Sequence, residues 1–129
     1  MIMGNRVVRA LLRSPLRGFL GGMCELKYAG RRTGRTIALP VQYARDGERL
    51  VVYVGRAGAK TWWRNFVEPG PVAVSVNGVD REGIARVVAL AAPDRGQVAS
   101  IYRRSHPKVE VAGDPMVVID LAPAHGTHR

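Results

Sequence analysis

Six basic side chains stand in two segments that carry no acid, and their chemistry is that of anion binding. Arg31, Arg32 and Arg35 belong to GRRTGR (residues 30–35), and Arg56, Lys60 and Arg64 to GRAGAKTWWRN (residues 55–65). A glycine-rich turn lets backbone N–H groups approach an anion, and arginine adds a two-pronged donor, each charge-assisted bond being worth about 1.5–3 kcal/mol. Residues 26–45 and 49–67 contain no Asp or Glu, so little local carboxylate is on hand to neutralise these bases. In the second segment Gly55, Gly58 and Ala59 leave room for a ligand against the backbone. Lys60 and Thr61 open a short helix whose N-terminus favours negative charge, and Trp63 and Asn65 hold that helix and its loop in place. Taken alone, GRRTGR reads better as a hairpin turn with solvated arginines, and at least one of Trp62 and Trp63 as core. The binding reading wins only if both segments reach one rim.

The intervening strands predict that they do. Residues 23–29 read as a strand running into the turn at 30–34, and 36–44 as a strand descending to Asp46-Gly47, whose tolerance of positive φ suits a tight hairpin. Residues 49–54, the run LVVYV with its leading Arg, climb back at roughly 3.3 Å per residue and deliver 55–65 to the same end. Pro40 inside the descending strand implies an edge or bulge, where Leu39, Val41 and Gln42 expose backbone groups to a ligand. Beyond these, 71–76 and 80–90 read as strands joined at Asn77-Gly78. Residues 92–94 open a helix to about 104 with Val98, Ile101 and Tyr102 inward; 105–113 read as loop and 116–121 as a last strand. Upstream, Asn5 caps a helix to Arg13 that restarts at Ser14-Pro15. Arg6, Arg9, Arg13 and Arg17 form a stripe there opposite Val7, Val8, Leu11, Leu12 and Leu16. Six strands joined by tight hairpins pair antiparallel, and such a sheet closes into a small barrel to remove its edges.

The composition fits one domain over residues 1–129, with 1–22 as the amphipathic basic helical segment and 122–129 as a flexible tail. Of the 129 residues 47% are hydrophobic, enough for one core. The formal charge of +10 points to an anionic partner: nucleic acid, anionic lipid or a multiply charged small molecule. A stacking platform for nucleic acid is disfavoured, because there are two Phe and no interleaved aromatics on the strands. The lone Cys24 excludes an intramolecular disulfide and reads as a buried, inert thiol. No apolar run approaches the roughly 18–20 residues that span a bilayer, and the N-terminal arginines interrupt any secretory apolar stretch. The expected location is cytoplasmic; the basic stripe reads better as a helix covering one mouth of the barrel with its arginines in water, and peripheral contact of residues 5–20 with the anionic inner face of the plasma membrane is the second reading. His106 is isolated and His125 and His128 lie in the tail, so metal binding and triad catalysis find little support.

The chain resembles the deazaflavin (F420)-dependent nitroreductase and quinone reductase family, within the flavin-reductase-like split β-barrel superfamily. The resemblance is carried by GRRTGR, by LPVQY (39–43) leading to RDG (45–47), and by Lys60, Trp63 and Asn65 standing close to a G-x-x-x-x-K-x-x-W-x-x-N spacing. It covers residues 28–76 well and the last strand loosely. What it implies is a mainly β fold, a six-stranded antiparallel split β-barrel with an N-terminal helix and one or two short helices. The implied cofactor is coenzyme F420, whose ring transfers a hydride and whose phosphate and oligoglutamate tail is polyanionic. By position Arg31, Arg32, Thr33 and Arg35 with Lys60 would hold the phosphate and tail. Leu39, Pro40, Val41 and Gln42, with Gly55, Ala57, Gly58 and Ala59, would line the ring and ribityl chain, and Trp63 and Asn65 complete the set. Arg56 and Arg64 are added from their charge and place. Hydride chemistry belongs to the cofactor, so no catalytic side chain is required. Tyr43, Tyr102 and Ser105 are the candidates for contact with the acceptor. The chain departs from the quinone reductases after Tyr102, where Arg103, Arg104 and His106 stand in place of a second tyrosine.

The expected function is therefore an F420H2-dependent reductase of a small planar acceptor, of quinone or nitroaromatic type, and the superfamily resemblance adds a homodimer. The alternatives are the same barrel holding FMN, FAD or haem, and a basic non-enzymatic barrel that binds nucleic acid.

Overall fold

The computed structural model describes residues 22–123; the helix expected between Asn5 and Arg17, with its arginine stripe, lies outside them. Within them the sheet has seven strands: β1 (Met23–Ala29), β2 (Thr36–Gln42), β3 (Ala44–Asp46), β4 (Arg49–Tyr53), β5 (Gly70–Val76), β6 (Val79–Val88) and β7 (Met116–Leu121). Their order is β2-β1-β5-β6-β7-β4-β3, and every neighbouring pair is antiparallel. The count exceeds the expected six because the run 36–46 does not stay one strand. It breaks at Tyr43, whose N–H donates to the Gly22 carbonyl at 2.7 Å. β2 then pairs with β1 at one end of the sheet and β3 with β4 at the other. A strand that must serve both ends of a curled sheet cannot remain straight, so it bends at one residue and the chain itself closes the barrel. β2 and β4 come near each other with no ladder between them, and that is the split.

Turn chemistry sets the register of the two hairpins. Asn77 (φ 52°) and Gly78 (φ 80°) form the expected two-residue loop, both in the left-handed region that this turn demands, between paired Val76 and Val79. The other loop is shifted by one residue from expectation. Asp46 pairs with Arg49, so Gly47 (φ 62°) and Glu48 make the turn, and the glycine takes its positive-φ first position.

The sheet buries both faces. Inside the barrel Cys24, Leu26, Val41, Leu50, Val52, Val74, Val117 and Ile119 pack with Tyr28 and Phe66. On the outer face the single described α-helix, α1 (Arg95–Ser105), lays Val98, Ile101 and Tyr102 on Val51, Val88, Met116 and Val118. β7 is covered on both sides, which is why MVVI reads as a continuous apolar run instead of an alternating one. Asp94 precedes α1 without capping it; its carboxylate accepts from Arg86 at 2.9 Å. Arg95 is buried and donates to the carbonyls of Val88 (3.2 Å) and Ala112 (2.7 Å), tying the loop after α1 to β6. Ala122, expected to open the tail, is tied to the sheet: its N–H donates to the Glu82 carbonyl at 2.8 Å, and its own carbonyl accepts from Arg81 at 2.7 Å, while residues 124–129 lie outside the described ones. Among the described residues no helix is long and apolar enough to cross a membrane.

Candidate functional site

The two basic loops do reach one rim, and a single amide joins them. Asn65 Oδ1 accepts the Arg31 N–H at 2.7 Å while its Nδ2 donates to the Trp62 carbonyl at 2.8 Å. The first loop is closed by backbone bonds from Gly30 N–H to the Arg35 carbonyl and from Gly34 N–H to the Gly30 carbonyl, both 2.8 Å. Thr33 Oγ1 accepts the Arg35 N–H at 3.2 Å. The second loop runs from a 3-10 turn at Ala57–Ala59 into a 3-10 helix at Trp62–Phe66. Trp63 clamps it, its Nε1 donating to the Ala57 and Lys60 carbonyls, each at 3.0 Å. The Arg64 guanidinium lies 5.4 Å from the centre of the Trp63 ring. Between the loops is a depression of about 330 Å³ lined by Gly30, Arg31, Arg32, Thr33, Ile37, Thr61, Arg64 and Asn65.

Its electrostatics differ from those of five arginines elsewhere on the fold. Arg45 and Arg81 pair with Glu48, Arg49 with Asp120, Arg86 with Asp94, and Arg104 stands 3.9 Å from Asp46. Among the described residues no carboxylate pairs with Arg31, Arg32 or Arg64, and none lines the depression. Uncompensated guanidinium groups around a backbone turn are a receptor for a multiply charged anion.

Beside it a second cavity, about 670 Å³, fills the split. One wall is Leu39, Pro40, Val41 and Gln42 of β2, the other Val52, Tyr53 and Val54 at the end of β4, with Met23, Lys60, Trp62 and Tyr102 closing it. The β3–β4 ladder ends at Ala44–Val51, so beyond it the edges of β2 and β4 face the cavity and not another strand. Pro40 sits on that edge, as its missing N–H requires. Thr61 lines the basic depression, and its neighbours Lys60 and Trp62 line the cavity, so the two spaces adjoin across one residue.

Several expected residues are placed otherwise. Lys60 lines the cavity and not the arginine depression, because its Nζ donates to the Val54 carbonyl at 3.0 Å. Arg35 and Arg56 are exposed and line neither space. Residues 55–59, expected to line the ring and ribityl chain, line neither space. Arg56, in the left-handed region at φ 55°, and Ala57 turn their N–H groups to the Asp114 carboxylate at 3.1 and 3.3 Å, so a carboxylate of the chain itself fills that nest. Of the three acceptor candidates only Tyr102 lines the cavity. Tyr43 and Ser105 line a separate depression with Gly22, Gln42, Ala44, Arg45 and His106. Burial raises the phenol of Tyr102, with Tyr53 adding to the shift, and burial raises that of Tyr43. Cys24 is buried and, through desolvation and then neighbouring Glu25, is pushed up to about 12, an unreactive thiol. Sequence reasoning missed Tyr53 and Asp114. The Tyr53 hydroxyl accepts from the Ala112 N–H at 3.0 Å and donates to Asp114 at 3.3 Å, a link across some sixty residues with no local signal. Among the described residues no cluster of His, Cys, Asp or Glu could hold a metal.

Comparison with known proteins bears on this geometry. The model of the family described as F420H(2)-dependent quinone reductase matches residues 16–116. A search of curated proteins found no match. Among solved structures, an F420-H2 dependent reductase (FDR-A) is similar at TM-score 0.60 and 14% identity, covering 77% of this chain and 94% of its own. A structure described as a domain-swapped dimer gives TM-score 0.60 and 14% identity over 88% and 93%. At these identities the likeness speaks to fold alone: the curled antiparallel sheet is a split barrel shared with those structures.

Proposed function

The chain belongs to the F420H(2)-dependent quinone reductase family and is an F420-dependent oxidoreductase, and from that premise we propose how its two adjoining spaces divide the work. Arg31, Arg32 and Arg64, with Thr33 and the turn backbone, hold the phosphate and acidic tail of the cofactor. The cavity in the split holds its flat ring between Leu39–Gln42 and Val52–Val54, with Trp62 at the near end. The fit rests on two observations: the depression has three arginines and no carboxylate, and the cavity volume lies within the few hundred cubic ångströms typical of small-molecule sites. When bound, the reduced deazaflavin supplies the hydride.

The protein's own part is positional. Apolar walls of Leu39, Val41, Val52 and Val54 exclude water from the reacting faces. Lys60, tied to the Val54 carbonyl, sets a positive charge at the cavity wall, beside the ring and not on the tail. Tyr102 faces the acceptor, a small planar molecule of quinone or nitroaromatic type. The observation that carries the reading is the Asn65–Arg31 bond, which joins the two loops into one basic wall continuous with the split. Neither FMN, FAD or haem nor nucleic acid is favoured as the partner. A homodimer belongs to the same reading, supported by the dimeric relative, and sedimentation tests it.

Titration of F420 by its fluorescence is the direct test. Wild-type protein is expected to bind at micromolar concentration, with affinity falling as salt screens the rim, and Arg32→Glu to weaken it at least tenfold. No fluorescence change with wild-type protein, or equal binding by Arg32→Glu, overturns the assignment.

A further inference from the structure

His106 lines neither the basic depression nor the cavity in the split, yet it holds Tyr102 of the cavity wall and Tyr43, the residue next to Gln42 of that wall. It follows Ser105 at the end of α1, its N–H donating to the Tyr102 carbonyl at 3.0 Å, and one helical turn brings its ring over that of Tyr102 with centroids 4.4 Å apart and planes at 26°. Its Nε2 lies 2.8 Å from the Tyr43 carbonyl. A carbonyl only accepts, so Nε2 is the donor in this bond. A Cβ on Gly22 would come within 3.3 Å of its Cε1, so backbone without a side chain closes the third side. One imidazole thus grips an aromatic wall residue and the bend between β2 and β3.

Tyr102 lines the cavity, and Tyr43 directly follows Gln42, the last β2 residue of its wall. β2 leaves the basic rim at Thr36 and reaches Gln42 six residues on, a run of about 20 Å, and Tyr43 follows. We propose that His106 is a positioning residue for the acceptor: it sets the plane of Tyr102 and the Gln42–Tyr43 corner at the end of the cavity remote from the arginines. The proposal rests on the assignment of the cavity made above. It differs from a plain helix-end role in what it affects: a residue that only stabilises the fold weakens both ligands together, whereas this one acts on the acceptor alone.

Three variants divide the two contacts. His106→Gln offers an N–H to the Tyr43 carbonyl but no ring, His106→Phe a ring but no N–H, and His106→Ala neither. The readouts are F420 affinity by fluorescence, KM and kcat with menadione as acceptor, and the imidazole ¹⁵N shifts of the unliganded wild-type protein. The Nε2–H tautomer is expected. F420 affinity is expected to stay within about twofold in all three, while menadione KM rises about fivefold in the Gln and Phe variants and about twentyfold in Ala, with kcat changing less. An Nδ1–H tautomer, parallel losses of F420 and menadione, or an unaltered menadione KM in His106→Ala overturns the role. Failure of wild-type protein to bind F420 overturns the cavity assignment and this role with it; wild-type binding with an unaltered KM in His106→Ala overturns the role of His106 alone.

Discussion

Replacing Asn65 by alanine should separate the two basic loops without removing a charge. The side chain makes two hydrogen bonds, accepting from the Arg31 N–H at 2.7 Å and donating to the Trp62 carbonyl at 2.8 Å. A typical net value is about 1 kcal/mol each, reduced at the Arg31 end because that residue is exposed and water can replace the amide, so the loss is about 1.5 kcal/mol. For a chain of this length that corresponds to a fall in Tm of about 5–8 °C. Affinity responds separately. The GRRTGR turn must then be ordered by the ligand itself, and a lost preorganisation of about 1 kcal/mol weakens F420 about fivefold. Asn65→Asp separates geometry from charge, since it keeps the acceptor for Arg31 but adds a negative charge beside three arginines. It should lose less stability than alanine and more affinity. Thermal melts with and without F420, together with fluorescence titrations, measure both quantities. An alanine variant with unchanged Tm and unchanged affinity would refute the claim that this amide builds the rim, and an Asp variant that binds more tightly than alanine would refute the electrostatics.

Other consequences are as direct. Asp114→Asn leaves one acceptor oxygen where two served Arg56, Ala57 and Tyr53, so stability should fall by about 1–3 kcal/mol and the amides of Arg56 and Ala57 should exchange with deuterium faster; unaltered exchange would show that another group holds the loop. A Cβ at Gly83 would stand 2.7 Å from the Asp120 carbonyl of the paired strand, whereas Gly96 in α1 has nothing within 4 Å. Gly83→Ala should therefore cost about 1–3 kcal/mol, and Gly96→Ala should gain up to about 1 kcal/mol; two shifts of the same sign in a melt would contradict the packing. Stability should fall at both extremes of pH. The Cys24 thiol is raised from 9.0 to about 12 in the folded chain, so its contribution is complete below pH 9 and is lost as pH rises from there towards 12. Glu48 is held below its ordinary 4.5 by hydrogen bonds from Arg81 and then Arg45, so its contribution is present above pH 4.5 and is lost as pH falls through the lowered value. A thiol reagent at pH 8 should leave the native protein unlabelled and react only with denaturant present; rapid labelling without it would place Cys24 at the surface.

What could be read in the residues, and what could not, follows the range of the forces involved. β1 and β7 fall on their expected limits because a strand-forming run bounded by glycine or proline is a local signal, and Asn77-Gly78 marks its turn because the positive φ is a property of those two residues. The bend at Tyr43 has no such marker. It exists because β2 and β3 join opposite ends of a curled sheet, which no window of a few residues contains. The same limit governs the site. Lys60 stands in sequence among residues that favour an anion, yet its ammonium turns to the Val54 carbonyl, and the nest at Arg56 and Ala57 is filled by Asp114 from beyond α1. An acid-free stretch shows only that local carboxylates are missing. Arg49 also lies in such a stretch and is neutralised by Asp120, its partner across the β4–β7 ladder. A basic residue is thus free for a ligand only when the strands facing it bring no acid. The turn at Arg31 and Arg32 meets that condition because it projects past the end of β1 and meets Asn65, an amide, where a carboxylate would have spent the charge.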